Sequence, residues 1–143
     1  MPEDVPALRA VAVAAYQGYV PRMGRPPAPM SADYAQAVRD GRVWVAADDG
    51  VLVGLAVLVP RDDHLLVENV AVSPPAQGRG VGGELLAFAE DHARRLGLSQ
   101  VRLYTNEAMT ENLVYYPRRG YVETHRAEQD GYRRVFFRKD VTA

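Results

Sequence analysis

Leu65-Leu66-Val67-Glu68-Asn69-Val70-Ala71-Val72 runs through Ser73-Pro74-Pro75-Ala76 into Gln77-Gly78-Arg79-Gly80-Val81-Gly82-Gly83, and then into Glu84-Leu85-Leu86-Ala87-Phe88-Ala89-Glu90. The first segment is apolar and β-branched, as a buried strand requires. The last carries its apolar residues at helical spacing. A glycine-rich turn therefore stands where a strand ends and a helix begins. Backbone N–H groups at a helix N-terminus lack intrahelical partners and sit at the positive end of the dipole, so they attract anions. Glycines let the main chain approach a bulky phosphate and adopt positive φ. The stretch predicts a phosphorylated ligand. A turn that merely joins strand to helix is the alternative.

Spacing narrows the ligand. A nucleotide triphosphatase loop needs Lys-Ser/Thr after its last glycine, and Gly83-Glu84 stands there instead. A dinucleotide fingerprint needs Gly-x-Gly-x-x-Gly; from Gly78 the spacing is one residue too tight, and the next strand ends in Tyr104-Thr105-Asn106 without a carboxylate for a ribose. Gln-x-x-Gly-x-Gly does fit, as Gln77, Gly80 and Gly82. Farther on, Asn106 to Tyr116 is followed by Gly120-Tyr121, an asparagine, a short helix and Leu-Tyr-x-x-x-Gly-Tyr-like spacing. With Glu68 to Pro74 these pieces stand in one order across roughly residues 43 to 138. In them the chain resembles the GNAT superfamily of N-acetyltransferases.

That resemblance implies an α/β fold: a mixed, largely antiparallel central sheet of six or seven strands with helices on both faces. It implies acetyl-CoA as co-substrate, and transfer of acetyl to a primary amine of a small molecule or peptide by direct attack in a ternary complex. The main chain of Val70, Ala71 and Val72 would pair with the pantetheine amides, and the amide near Val70 would polarise the thioester carbonyl. Backbone N–H groups of Gln77, Gly78, Arg79, Gly80, Val81, Gly82 and Gly83 would hold the pyrophosphate, with the Arg79 cation beside it. Asn112 would contact the cofactor; Asn106 would do so or serve as a turn residue.

An ammonium acceptor must lose a proton before it attacks, usually to a carboxylate through water. Glu68 is the candidate base, a carboxylate in an apolar strand where burial would raise its pKa. A solvent-facing position is the alternative. Alternation puts Leu66, Glu68, Val70 and Val72 on one face unless a bulge intervenes. Tyr116, four residues before Gly120, matches the family tyrosine that protonates the leaving thiolate; an aromatic core residue is the other reading. Pro117 departs from the family pattern and should kink or end the helix near Tyr116. The acceptor side would draw on Tyr16, Tyr19, Arg22, Met23, Pro29, Met30 and Tyr34, although Tyr and Met at helical spacing also build cores.

Composition bounds the rest. The 143 residues match one domain over 1–143, with 48% hydrophobic and 24% charged residues. Net charge is −1, from 17 basic and 18 acidic residues, which indicates no bulk attraction to nucleic acid or membrane. Without cysteine there is no thiolate metal site and no cysteine nucleophile. His64, His92 and His125 lack ligand spacing, so no metal is expected. No run approaches a membrane span, and Glu3 and Asp4 replace a basic signal start, which reads as cytoplasmic.

Periodicity predicts a helix over 3–19, an irregular proline-broken stretch over 20–30, and a short helix capped by Ser31 and closed by Gly41. Val43–Ala47, a turn at Asp48-Asp49-Gly50 and Val51–Val59 predict a hairpin. Gly54 predicts a bulge or a close approach. A third strand, the glycine turn, a helix through Leu96, a strand over 100–105, a helix from Thr110 and strands near 120–127 and 132–138 follow. If Val135-Phe136-Phe137 formed an exposed edge, it would invite a homodimer; a buried core strand explains the same residues. A non-catalytic acyl-CoA sensor, for which Pro117 argues, or a partner-binding domain of the same fold are the rival functions.

Overall fold

The computed structural model describes residues 5–23 and 28–141. The fold is α/β, with a mixed six-stranded sheet of order β1-β2-β3-β4-β6-β5. Its strands are β1 (Val43–Asp48), β2 (Val51–Pro60), β3 (Leu65–Val72), β4 (Gln100–Asn106), β5 (Val122–Gln129) and β6 (Tyr132–Asp140). Pairing is antiparallel at β1–β2, β4–β6 and β5–β6, and parallel at β3–β4. The chain divides into two compact units, residues 1–58 with 69–88, and residues 59–68 with 89–143.

In the first unit, α1 (Val5–Tyr16) buries Leu8, Val11 and Ala12, one stripe at helical spacing. A 3₁₀ turn at Gln17–Tyr19 leads into α2 (Val20–Met23), within the stretch expected to be irregular. Pro21 is tolerated there because the first turn of a helix has no use for its missing N–H. The expected helical residues 3 and 4 and the prolines at 26 and 27 lie outside the described residues. The cap of α3 (Tyr34–Arg39) is Asp33, not Ser31: its carboxylate accepts from the Gln36 N–H at 3.0 Å.

Asp49 (φ 51°) and Gly50 (φ 78°) turn β1 into β2 with both central residues left-handed, the geometry whose twist matches a hairpin. Both readings of Gly54 hold. The ladder steps from Ala46↔Gly54 to Ala47↔Leu52, leaving Val53 unmatched. A Cβ on Gly54 would also lie 3.0 Å from Val81 Cγ1 and 3.2 Å from Leu85 Cδ1, so α4 (Val81–Arg95) packs directly on this glycine. Along β3, Leu65, Val67, Asn69 and Ala71 are buried while Leu66, Glu68, Val70 and Val72 share the more open face, as alternation requires.

The second unit centres on Val101, Leu103, Val135 and Phe137. β6 lies between β4 and β5, so Val135-Phe136-Phe137 is in an interior strand and the edge on that side is β5. The strand is part of the sheet interior, as the core alternative has it, and offers no free edge to a second subunit. Gly97 (φ 76°) closes α4, with Leu98 N–H reaching the Ala93 carbonyl at 2.9 Å. α5 (Thr110–Arg118) continues one residue past Pro117. Its proline sits in the last turn, where the helix ends in any case.

Candidate functional site

In the first unit the glycine turn is built from β3 outward. Pro74–Ala76 forms a 3₁₀ turn, and the Gln77 N–H donates to the Pro74 carbonyl at 3.2 Å. That N–H is engaged within the turn. The Gln77 side chain reaches back along the chain, where its Nε2 donates to the Val72 carbonyl at 3.1 Å and ties the turn to the end of the strand. Gly78 (φ 83°) and Gly80 (φ 84°) are left-handed, and a Cβ at either would meet nothing within 4 Å. Backbone conformation, not crowding, favours glycine here, by about 1–2 kcal/mol over residues other than Asn and Asp.

Helix α4 begins at Val81, earlier than the apolar spacing from Glu84 suggests, so Gly82 and Gly83 belong to its first turn. The Glu84 N–H closes that turn on the Gly80 carbonyl at 2.9 Å. Gly78, Arg79 and Gly80 are exposed. An open, left-handed main chain leading into a helix N-terminus fits a diphosphate, whose oxygens need donors and room.

Beside the turn, β3 carries an amide in its buried row. Asn69 is 6% exposed, and a buried amide needs partners. Its Nδ2 donates to the Tyr34 hydroxyl at 2.8 Å, and Tyr34 donates to the Pro29 carbonyl at 2.5 Å. The Tyr16 hydroxyl lies 2.8 Å from Asn69 Oδ1 and donates to the Val70 carbonyl at 2.6 Å. Tyr34, expected on the acceptor side, is thus a buried residue that anchors the 28–31 turn to β3. Tyr16, Tyr19, Met23 and Met30 are half-buried, the two tyrosine rings 6.4 Å apart. The Arg22 side chain lies outside the described part of the structure.

In the second unit Glu68 is exposed, so the burial expected to raise its pKa is not present. The parallel ladder runs from Leu65↔Val101 to Val67↔Leu103, and both strands continue beyond it. Asn106 is a turn residue: its Oδ1 accepts from the Ala108 N–H at 2.9 Å. Asn112 Nδ2 donates to Thr105 Oγ1 at 3.0 Å, bracing α5 on the end of β4.

Tyr116 packs among Tyr115, Tyr121 and Phe137, with ring centroids 5.6, 5.9 and 5.7 Å away. Behind it, Glu90 accepts from the Tyr121 hydroxyl at 3.0 Å and from Lys139 Nζ at 2.9 Å. Burial, and then the Glu90 charge, push the Tyr121 phenol well above the usual tyrosine range. Tyr104 is also raised, chiefly by burial, while the Arg134 cation opposes the shift and Glu68 adds to it.

The profile of the acetyltransferase (GNAT) family matches residues 8–121. The chain belongs to the GNAT acetyltransferase family. It is 36% identical over 104 residues to a Xenopus tropicalis protein named "Probable N-acetyltransferase 14", covering 70% of this chain and 50% of that one. To the aminoalkylphosphonate N-acetyltransferase of Salmonella typhimurium it is 36% identical over 59 residues, 41% of this chain and 38% of the relative. The GNAT chain thus spans half or less of the length of these curated relatives. The PaiA N-acetyltransferase of Thermoplasma acidophilum, solved in complex with coenzyme A, shares the fold at TM-score 0.80 and 18% identity, covering 97% of this chain and 94% of its own.

Sequence reasoning missed Asn69, Tyr104, Arg134 and the Glu90–Lys139 pair. Asn69 left a signal, a polar residue in the row of β3 that alternation assigns to the core. Glu90 also left one, following Leu86 by one turn on an apolar helix face. Lys139, 49 residues away, left none.

Proposed function

We propose that residues 1–143 act as one acetyltransferase domain that moves acetyl from acetyl-CoA to a primary amine of a small molecule or peptide. The observation that carries this reading is the strand–turn–helix at 65–95, with two left-handed glycines opening onto a helix N-terminus. The main chain of Gly78 to Gly83 receives the diphosphate. Val70, Ala71 and Val72 offer main-chain groups to the pantetheine, and the amide near Val70 polarises the thioester carbonyl.

Glu68 takes the ammonium proton through water, to which its exposed carboxylate has access. The neutral amine attacks the carbonyl carbon, the C–N bond forms and the C–S bond breaks. Tyr116 returns a proton to the departing thiolate, giving the acetamide and free CoA. Because the amine attacks the thioester directly, the route passes through no covalent enzyme intermediate.

Calorimetric titration of acetyl-CoA into the protein and into a Gly80→Asp variant tests the loop. Saturable binding that the variant loses is expected; no binding by the unaltered protein refutes the reading. Glu68→Gln and Tyr116→Phe test the chemistry through CoA release, read with a thiol reagent against a cysteine-free protein. Unchanged turnover in both removes these roles. The ring cluster around Tyr116 favours a second reading, an acyl-CoA sensor. Tight acetyl-CoA binding with no turnover on any amine selects it.

A further inference from the structure

Register places Arg102, Tyr104 and Asn106 of β4 opposite Arg138, Phe136 and Arg134 of β6, so these six share one sheet face. Glu68 belongs to the same face, because Leu66, two residues earlier on β3, pairs with Arg102. Arg102 is answered by Asp63 at 3.5 Å. Arg134 is not: among the described residues no carboxylate lies within ion-pair distance of it. It is half-buried, with its guanidinium carbon 4.3 Å over the Tyr104 ring and 5.6 Å from the Tyr132 ring. One of its terminal nitrogens donates to Gln129 Oε1 at 3.0 Å.

Stacking engages the flat face of a guanidinium and leaves its in-plane N–H donors for an anion. A partly buried cation is costly without a counter-charge, so this position suits a ligand that brings one. Glu68 supplies the opposite pole. Burial chiefly raises the Tyr104 pKa. On top of that the Arg134 cation lowers it while the Glu68 and Asp130 charges raise it, so the phenol lies within reach of both poles. An ion carrying an ammonium and an anionic group satisfies both poles at once.

We propose that Arg134, stacked on Tyr104, anchors the anionic group, carboxylate or phosphonate, of an acceptor whose amino group is presented to Glu68. The proposal rests on the reading of Glu68 as the base and deepens it. It makes the acceptor a small zwitterionic amine. The fork of Arg134 binds either oxyanion in two-point fashion, which a lysine or a neutral donor does not reproduce.

The test pairs equilibrium binding with turnover. β-Alanine, 2-aminoethylphosphonate and β-alanine amide are titrated by calorimetry into the protein saturated with CoA, and each is assayed for CoA release from acetyl-CoA. The two anionic amines are expected to bind about tenfold or more tighter than the amide, with that preference abolished in Arg134→Gln and partly kept in Arg134→Lys. The tighter of the two names the oxyanion. Equal binding of amide and anionic amines, or a preference that survives Arg134→Gln, overturns the proposal. Arg134-dependent binding without turnover keeps the anchor and refutes transfer. Turnover with no Arg134-dependent preference keeps transfer and refutes the anchor.

Discussion

Gly54→Ala places one methyl group in a close helix-on-strand contact of the first unit. The added carbon would lie 3.0 Å from Val81 Cγ1, 3.2 Å from Leu85 Cδ1 and 3.3 Å from the Ala71 carbonyl oxygen. Carbon atoms rest about 3.5–4.0 Å apart, so both side-chain contacts overlap by roughly half an ångström. Leu85 can swing a terminal methyl away. Val81 cannot, because a β-branched residue in a helix has essentially one rotamer. Relief must come from displacing the start of α4. Overpacking of this kind costs about 1–3 kcal/mol. Replacing a strand glycine returns about 0.5–1 kcal/mol. The net is a loss of about 1 kcal/mol, within roughly 0–2.5, or about 3–4 °C in Tm for a domain of this size. Urea denaturation followed by circular dichroism should show a lower midpoint at unchanged m value. Val81→Ala in the same chain should recover much of the loss, the coupling expected of touching residues. Acetyl-CoA affinity should fall with the displacement, since Val81 opens the helix at the glycine turn. A fully stable Gly54→Ala, or an equal loss with and without Val81→Ala, refutes the argument.

Three further outcomes are expected. Lys139→Met strands the buried Glu90 carboxylate and should cost about 3 kcal/mol in chemical denaturation; adding Glu90→Gln should restore part of it. Asn69→Leu removes the partner of Tyr34 and Tyr16 and should cost about 1–3 kcal/mol. It should also speed amide exchange over residues 28–39 more than over β4–β6. Stability should fall as pH rises above about 10, at up to about 1.4 kcal/mol per pH unit for each retained proton. The sign follows because the unfolded chain gives up its Tyr121 proton there while the folded one keeps it. Tyr121→Phe should flatten that slope in denaturation curves collected across the alkaline range.

What was legible in the sequence was local. The strand–turn–helix at 65–95 declares itself because alternation, glycine and helical spacing follow one another within a few residues. The Asp49-Gly50 hairpin needs only its own two left-handed positions. The cap of α3 was ambiguous, since Ser31 and Asp33 are both good capping residues. What decides between them is the burial of Tyr34 directly after Asp33, a tertiary demand. The order of β5 and β6 was illegible for a similar reason: an apolar strand suits an edge or an interior position until its neighbours are known. Glu68 shows the reverse limit. Its face was predicted correctly, but its exposure depends on what covers that face. The pairing of Glu90 with Lys139 and the stacking of Arg134 on Tyr104 join distant segments, and no local pattern announces such pairs.

The edge strand β5 bears on how the protein behaves in a crowded solution. An outer strand of eight residues is long enough to recruit a stranger's backbone and seed a fibril. Here its pairing with β6 slips at Thr124, between Glu123↔Phe137 and His125↔Phe136. An incoming strand would meet donors and acceptors that fall out of step at that residue. Glu123, Arg126 and Glu128 add charges on either side of the slip. Salt would screen those charges but would leave the misfit untouched, so resistance to stacking should outlast high ionic strength.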